Sequence, residues 1–188
     1  MPFTPFHLGP AVFLGFPMRK YLHAPTFILA NVIVDVEPAL VLMLGLNYRV
    51  HGYLHTFLFA MFTGLLLGYG MWLVERFYRP FFQRIHLEEG DPLKLRSFLF
   101  AGVLGTWLHV LLDSPLYTDI RPFYPVSLNP LYAPALNSVI YNLCVWLGIM
   151  GLAYYAGSLI LITYRNRAKK DDYHLSETTG SLQKEEAA

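Results

Sequence analysis

The chain has 188 residues, 55% of them hydrophobic and 16% aromatic, with only 14% charged, and its mean hydropathy is +0.40. A formal net charge of +1 supplies no basic excess for a nucleic-acid partner. The apolar residues are too many and too clumped for a soluble domain of this size, so an all-α, polytopic membrane bundle is expected.

In chain order, residues 1–18 carry prolines at 2, 5, 10 and 17, which interrupt any long helix, and they lack the basic leader of a signal peptide. A short broken segment entering from outside is expected, with His7 at its outer start. Residues 25–46 form the next apolar window and contain Asp35 and Glu37. Glu37 precedes Pro38, which disfavours helix at Glu37 and predicts a break there. Residues 54–74 follow, introduced by "HGYLHT", whose His51 and His55 are four apart and are expected on one helical face. Gly64 and Gly68 make a GxxxG that serves packing within the bundle and dimerisation equally well.

Residues 75–96 are charged and aromatic and are expected to lie on the cytoplasmic interface. His86 in that loop, and His23 earlier, read as solvated. Residues 97–117 carry His109 and Asp113, again four apart. The stretch 114–135 holds five prolines and four aromatics and suits an ordered, non-helical outer cap. A last apolar window, 136–164, contains Cys144, the single cysteine; no internal disulfide is possible, and a thiol packed in an apolar helix is expected. The expected organisation is about four transmembrane helices plus a short N-terminal helix over 1–164, then a polar, disordered cytoplasmic tail over 165–188.

Twelve of the fourteen Lys and Arg residues fall in three clusters: Arg19 and Lys20, five residues between Arg76 and Arg96, and five in the tail. With each segment crossing once, all three clusters share one side, which the positive-inside rule makes the cytoplasm of a cell membrane. Arg49 and Arg121 remain on the other side. Traced in this orientation, His7, Asp35, Glu37, His51, His55, His109 and Asp113 all fall in the outward half of the membrane.

Ionisable groups inside a bilayer cost on the order of 2.5–3.5 kcal/mol each and mark a function by default. Paired i, i+4 residues from neighbouring helices plus a carboxylate are how bundles build metal sites. The expected ligands are His7, Asp35, His51, His55, His109 and Asp113, with Glu37 behind Asp35 or acting as a proton acceptor. Imidazoles and carboxylates without thiolates suit Zn²⁺ best, then Mn²⁺ or Fe²⁺, as one or two ions. Mutual pairing of buried histidines and acids, without a metal, is the alternative.

The ordered series His7, "VDVEP" (34–38), "HGYLHT" (51–56) and "HVLLD" (109–113) resembles the YdjM-like membrane-bound metal-dependent hydrolases over residues 1–130. That family is in turn distantly similar to zinc-dependent phospholipase C and P1 nuclease. The resemblance implies a metal held by Asp35, His51 or His55, His109 and Asp113, with His7 serving a neighbouring ion and Asp113 bridging. Asp119 is a poor stand-in for the ligands of a third ion. The expected function is a hydrolase in which metal-activated water attacks a phosphoester or acyl bond of a lipid or lipid-linked substrate at the outer interface. Asp35, Glu37 and His55 would serve the chemistry, and Arg121, oriented by Asp119, would hold a phosphate oxygen. The alternative is a transport or proton-relay protein using the same His/Asp cluster.

Overall fold

The computed structural model describes residues 5–88 and 93–186, with side chains described for 6–88 and 93–168. Among the described residues every regular element is helical. A 3-10 turn at Pro5–His7 leads into α1 (Leu8–Met18); α2 (Ala24–Ile33) and α3 (Val36–Met43) follow. A second 3-10 turn, Tyr53–His55, precedes α4 (Phe57–Arg84); then come α5 (Leu95–Asp113), a third 3-10 turn at Pro134–Leu136, and α6 (Asn137–Glu186). Four stretches are long and apolar enough to cross a bilayer: Ala24–Met43, Phe57–Arg84, Leu95–Asp113 and Pro134–Ala168. With eleven residues, α1 is too short to do so.

The chain divides into two compact units, Met1–Leu152 and Ala153–Ala188. The first holds α1 to α5, the start of α6 and every residue discussed below as a site. The second is helical to Glu186 and presents Ile160, Leu161 and Tyr164 outward, as lipid-facing helix does. The disorder expected over 165–188 falls mostly on side chains outside the described residues.

Small residues set the helix spacing. A Cβ on Gly102 of α5 would land on the Gly64 carbonyl of α4, and one on Gly68 would meet the Phe98 carbonyl. The GxxxG therefore packs inside the chain, against α5. Without a hydrophobic drive between helices in lipid, such close backbone approach and buried hydrogen bonds hold the pair together. Thr106 Oγ1 donates to the Ala60 carbonyl at 2.8 Å, and Trp107 Nε1 donates to the Phe57 carbonyl at 2.9 Å. Gly105 lies against the α2 backbone at Phe27 and Asn31, and Asn31 Nδ2 donates to the Gly105 carbonyl at 3.3 Å.

Four expectations need correction. The break in the second window lies at Val34–Asp35 rather than at Glu37–Pro38. Pro38 sits in the first turn of α3, where its missing N–H would have had no intrahelical partner anyway. His51 and His55 do not share a helical face: the helix starts only at Phe57, because the Thr56 side chain accepts from Phe59 N at 3.2 Å and caps it. The stretch 75–84 is the end of α4, which runs through Pro80 to Arg84. Finally, His23 is fully buried rather than solvated. Its Nδ1 accepts from Thr26 N at 3.2 Å as the α2 cap, its Nε2–H donates to Glu88 Oε1, and its ring stacks on Phe98.

Candidate metal centre

The break after Ile33 determines what α2 and α3 offer. In a continuous helix the Asn31 carbonyl would accept from Asp35 N; here Asp35 N donates instead to the Val32 carbonyl at 3.0 Å. The freed Asn31 oxygen receives Nδ1–H of His109 at 2.6 Å. A carbonyl only accepts, so His109 must carry its proton on Nδ1, and Nε2 faces the other way. There it meets Asp113 Oδ2 at 3.2 Å and Asp35 Oδ1 at 3.4 Å. His109 and Asp113, one turn apart on α5, do share a face as expected.

His55, in the 3-10 turn before α4, is fixed in the same manner. Its Nδ1–H donates to Glu37 Oε2 at 3.3 Å, and that oxygen also accepts from Leu54 N at 3.0 Å. His55 Nε2 then points at Asp113 Oδ2, 3.7 Å away. Glu37 thus orients His55, while Asp35 joins the cluster itself.

One ligand atom each from Asp35, His55, His109 and Asp113 lies within 4.8 Å of the others, the span of a single small coordination sphere. All four residues are 0 to 5% exposed. They gather where α2 breaks, α4 begins and α5 ends, so one end of the helices carries the whole group. Within this group both imidazoles leave Nε2 without a hydrogen-bond partner. With Nδ1 committed to its own acceptor, each Nε2 faces carboxylate oxygens comfortably only when positive charge lies between them, supplied by a metal ion or by a second proton on the ring. Two nitrogens and two carboxylate oxygens, each nitrogen oriented by a partner on its far side, are the donor set and outer support that zinc sites use.

The remaining expected residues stand beside this group. His7, at the end of its 3-10 turn, places Nε2 3.0 Å from Asp113 Oδ1, with its ring edge-on to His109 at 4.7 Å. His51 packs edge-on against His55 at 4.8 Å, but its Nδ1–H donates to Asp119 at 2.9 Å and its backbone N donates to the same carboxylate at 3.1 Å. Burial pushes the Asp119 carboxyl up, yet the His51 charge and hydrogen bonds more than offset this and hold it below the usual range. Asp119 therefore orients His51; Arg121 lies on the same pocket wall without an ion pair to it. Burial likewise raises the Tyr48 phenol, so it stays a hydrogen-bond donor.

Asn31 had no sequence signal, because it acts through its backbone carbonyl. Asp119 carried a faint one, as an acid in a loop rich in proline and aromatics next to an arginine. No protein-family model, no curated protein and no solved structure matches the chain.

Proposed function

We propose that the chain is a membrane-bound hydrolase that holds a divalent cation, zinc by preference, between Asp35, His55, His109 and Asp113, and cleaves an ester bond, a phosphoester before an acyl ester. The single observation that carries this reading is the pair of buried imidazoles with Nδ1 committed and Nε2 unpartnered, both facing carboxylates within 4.8 Å. Asp35, His55, His109 and Asp113 would hold a divalent ion, which would supply Lewis-acid activation of water near neutral pH. The chain's own work is positional. The Asn31 carbonyl and Glu37 fix the two rings, Asp35 and Asp113 bring the negative charge that retains the ion, and His7 holds the outer oxygen of Asp113.

The ordered motifs resembling the YdjM-like hydrolases support the reaction class. The basic clusters support an outward-facing site with the C-terminus in the cytoplasm. The lipid surroundings of the bundle support a lipid or lipid-linked substrate that reaches the site from the interface. Metal analysis of detergent-purified protein, followed by a phosphoester and acyl-ester panel with and without chelator, tests the proposal. Stoichiometric zinc or manganese, absent from a folded His109→Ala/Asp113→Ala variant, is expected together with chelator-sensitive cleavage. Bound metal without any chelator-sensitive hydrolysis across the panel would refute the enzymatic claim.

A further inference from the structure

Beside the metal centre lies a pocket of about 330 Å³. Its lining includes Arg49, Arg121, Tyr48, Tyr53, His51 and Asp119. Arg49 and Arg121 are the two basic residues that the three clusters leave out, and they are 72 positions apart in the chain, yet the fold brings both to this one cavity. Neither forms an ion pair among the described residues. The pocket's carboxylate, Asp119, is already committed twice to His51. Two guanidinium groups with no ion-pair partner among the described residues thus line one concave site that holds a single lining carboxylate, and each offers five N–H donors in a planar fork that matches phosphate oxygens. The aromatic wall of Tyr48 and Tyr53 adds apolar surface with hydroxyl tips, as ligand pockets at a membrane interface do.

The pocket also communicates with the metal centre through contacts already described. His51 is its inner wall and packs on His55 at 4.8 Å. Gly52 lies where Tyr48 and Glu37 converge; a Cβ there would collide with the Tyr48 ring and with Glu37 Oε1. The carboxylate that orients His55 is therefore also next to the floor of the pocket.

We infer that this pocket is a phosphate-binding subsite, in which Arg49 and Arg121 together grip an anionic phosphate group and present the rest of the ligand to the adjoining His/Asp cluster. The assignment of a substrate class rests on the hydrolase reading above; the binding itself does not. The same chemistry fits a phospholipid headgroup and a free phosphate ester.

The test is calorimetric titration of the full-length, detergent-purified protein with inorganic phosphate and, separately, with dihexanoyl phosphatidic acid below its micellar concentration. Wild type, Arg49→Gln, Arg121→Gln and the double variant are compared, with zinc content measured on the same samples. Each single change is expected to weaken phosphate binding about tenfold, the lower end for a charge-assisted contact, and the double change to weaken it further, with zinc content unaltered. The single variants keep the comparison readable should the double one fail to fold. A short-chain lipid bound at least tenfold more tightly than phosphate assigns the subsite to a headgroup, and equal affinities assign it to a free phosphate ester. Absence of binding by either probe, or phosphate affinity unchanged in the variants, overturns the inference. Arginine-dependent phosphate binding in a wild type that takes up no metal would sustain the subsite and remove the hydrolase reading.

Discussion

Glu37 gives the most discriminating perturbation, because it touches the expected metal only through another residue. Its Oε2 accepts from His55 Nδ1 at 3.3 Å and from Leu54 N at 3.0 Å, with the side chain 12% exposed. Replacing it with alanine frees the His55 ring and leaves two donors short of an acceptor. Outer supports of this kind are worth about 10- to 100-fold in metal affinity. The 3.3 Å contact is long for a charge-assisted bond, so the lower end applies: about tenfold, or roughly 1.4 kcal/mol. The stranded Leu54 N–H costs on the order of 1 kcal/mol or more of stability in addition. Glu37→Gln keeps an acceptor oxygen of the same reach, so it should recover most of the stability and lose zinc affinity only a few-fold. Competition against a chromophoric chelator in detergent reads the affinity, and a thermal melt reads the stability. If Glu37→Ala binds zinc as tightly as wild type while Asp113→Asn binds none, the claim that Glu37 aims His55 at the ion is wrong.

Three further outcomes follow from the geometry. Gly102→Leu should destabilise the fold by about 1–3 kcal/mol or more, seen as a lower melting temperature, because its side chain would occupy the Gly64 carbonyl. Asp119→Asn should cost less than about 1 kcal/mol at neutral pH, since the carboxylate is 38% exposed and screened. The Asp119 carboxyl is held below its unfolded value, so its contribution is full above about pH 3.9 and is lost as pH falls through the lower folded value. The melting difference between Asp119→Asn and wild type should therefore vanish in strong acid, and a difference that grows there would contradict the assignment. In a Cys144→Ala background, the exposed Ser127→Cys should react with an impermeant maleimide from outside intact cells and the exposed Gln83→Cys should not; the reverse pattern would invert the orientation drawn from the basic clusters.

What the sequence disclosed and what it withheld divide along a physical line. Apolar length and in-helix spacing are local, so the four long helices and the His109/Asp113 face were readable. Asp35 and His55 do meet that pair. Helix starts were read less well. The i, i+4 spacing of His51 and His55 looked helical, but Thr56 caps a helix that begins only at Phe57, after both of them. Pro38 looked like the break, yet proline is compatible with a first turn, and the break came at Val34–Asp35 with no proline to mark it. His23 was misjudged because its partners, Glu88 and Phe98, lie 65 and 75 residues further along, a distance no local pattern spans. The Asn31 carbonyl is invisible to any reading of side chains.

That last acceptor has a genetic consequence. A peptide oxygen belongs to every amino acid, so no substitution at position 31 can delete it, and side-chain scanning would miss its part in aiming His109. What can silence it is a change in backbone phase. Inserting or removing one residue between Ile33 and Val36, or straightening α2 and α3 into a continuous rod, would return that oxygen to its own helix and swing the neighbouring aspartate away. Length variation in this short turn is therefore the change a lineage preserving the centre should tolerate least.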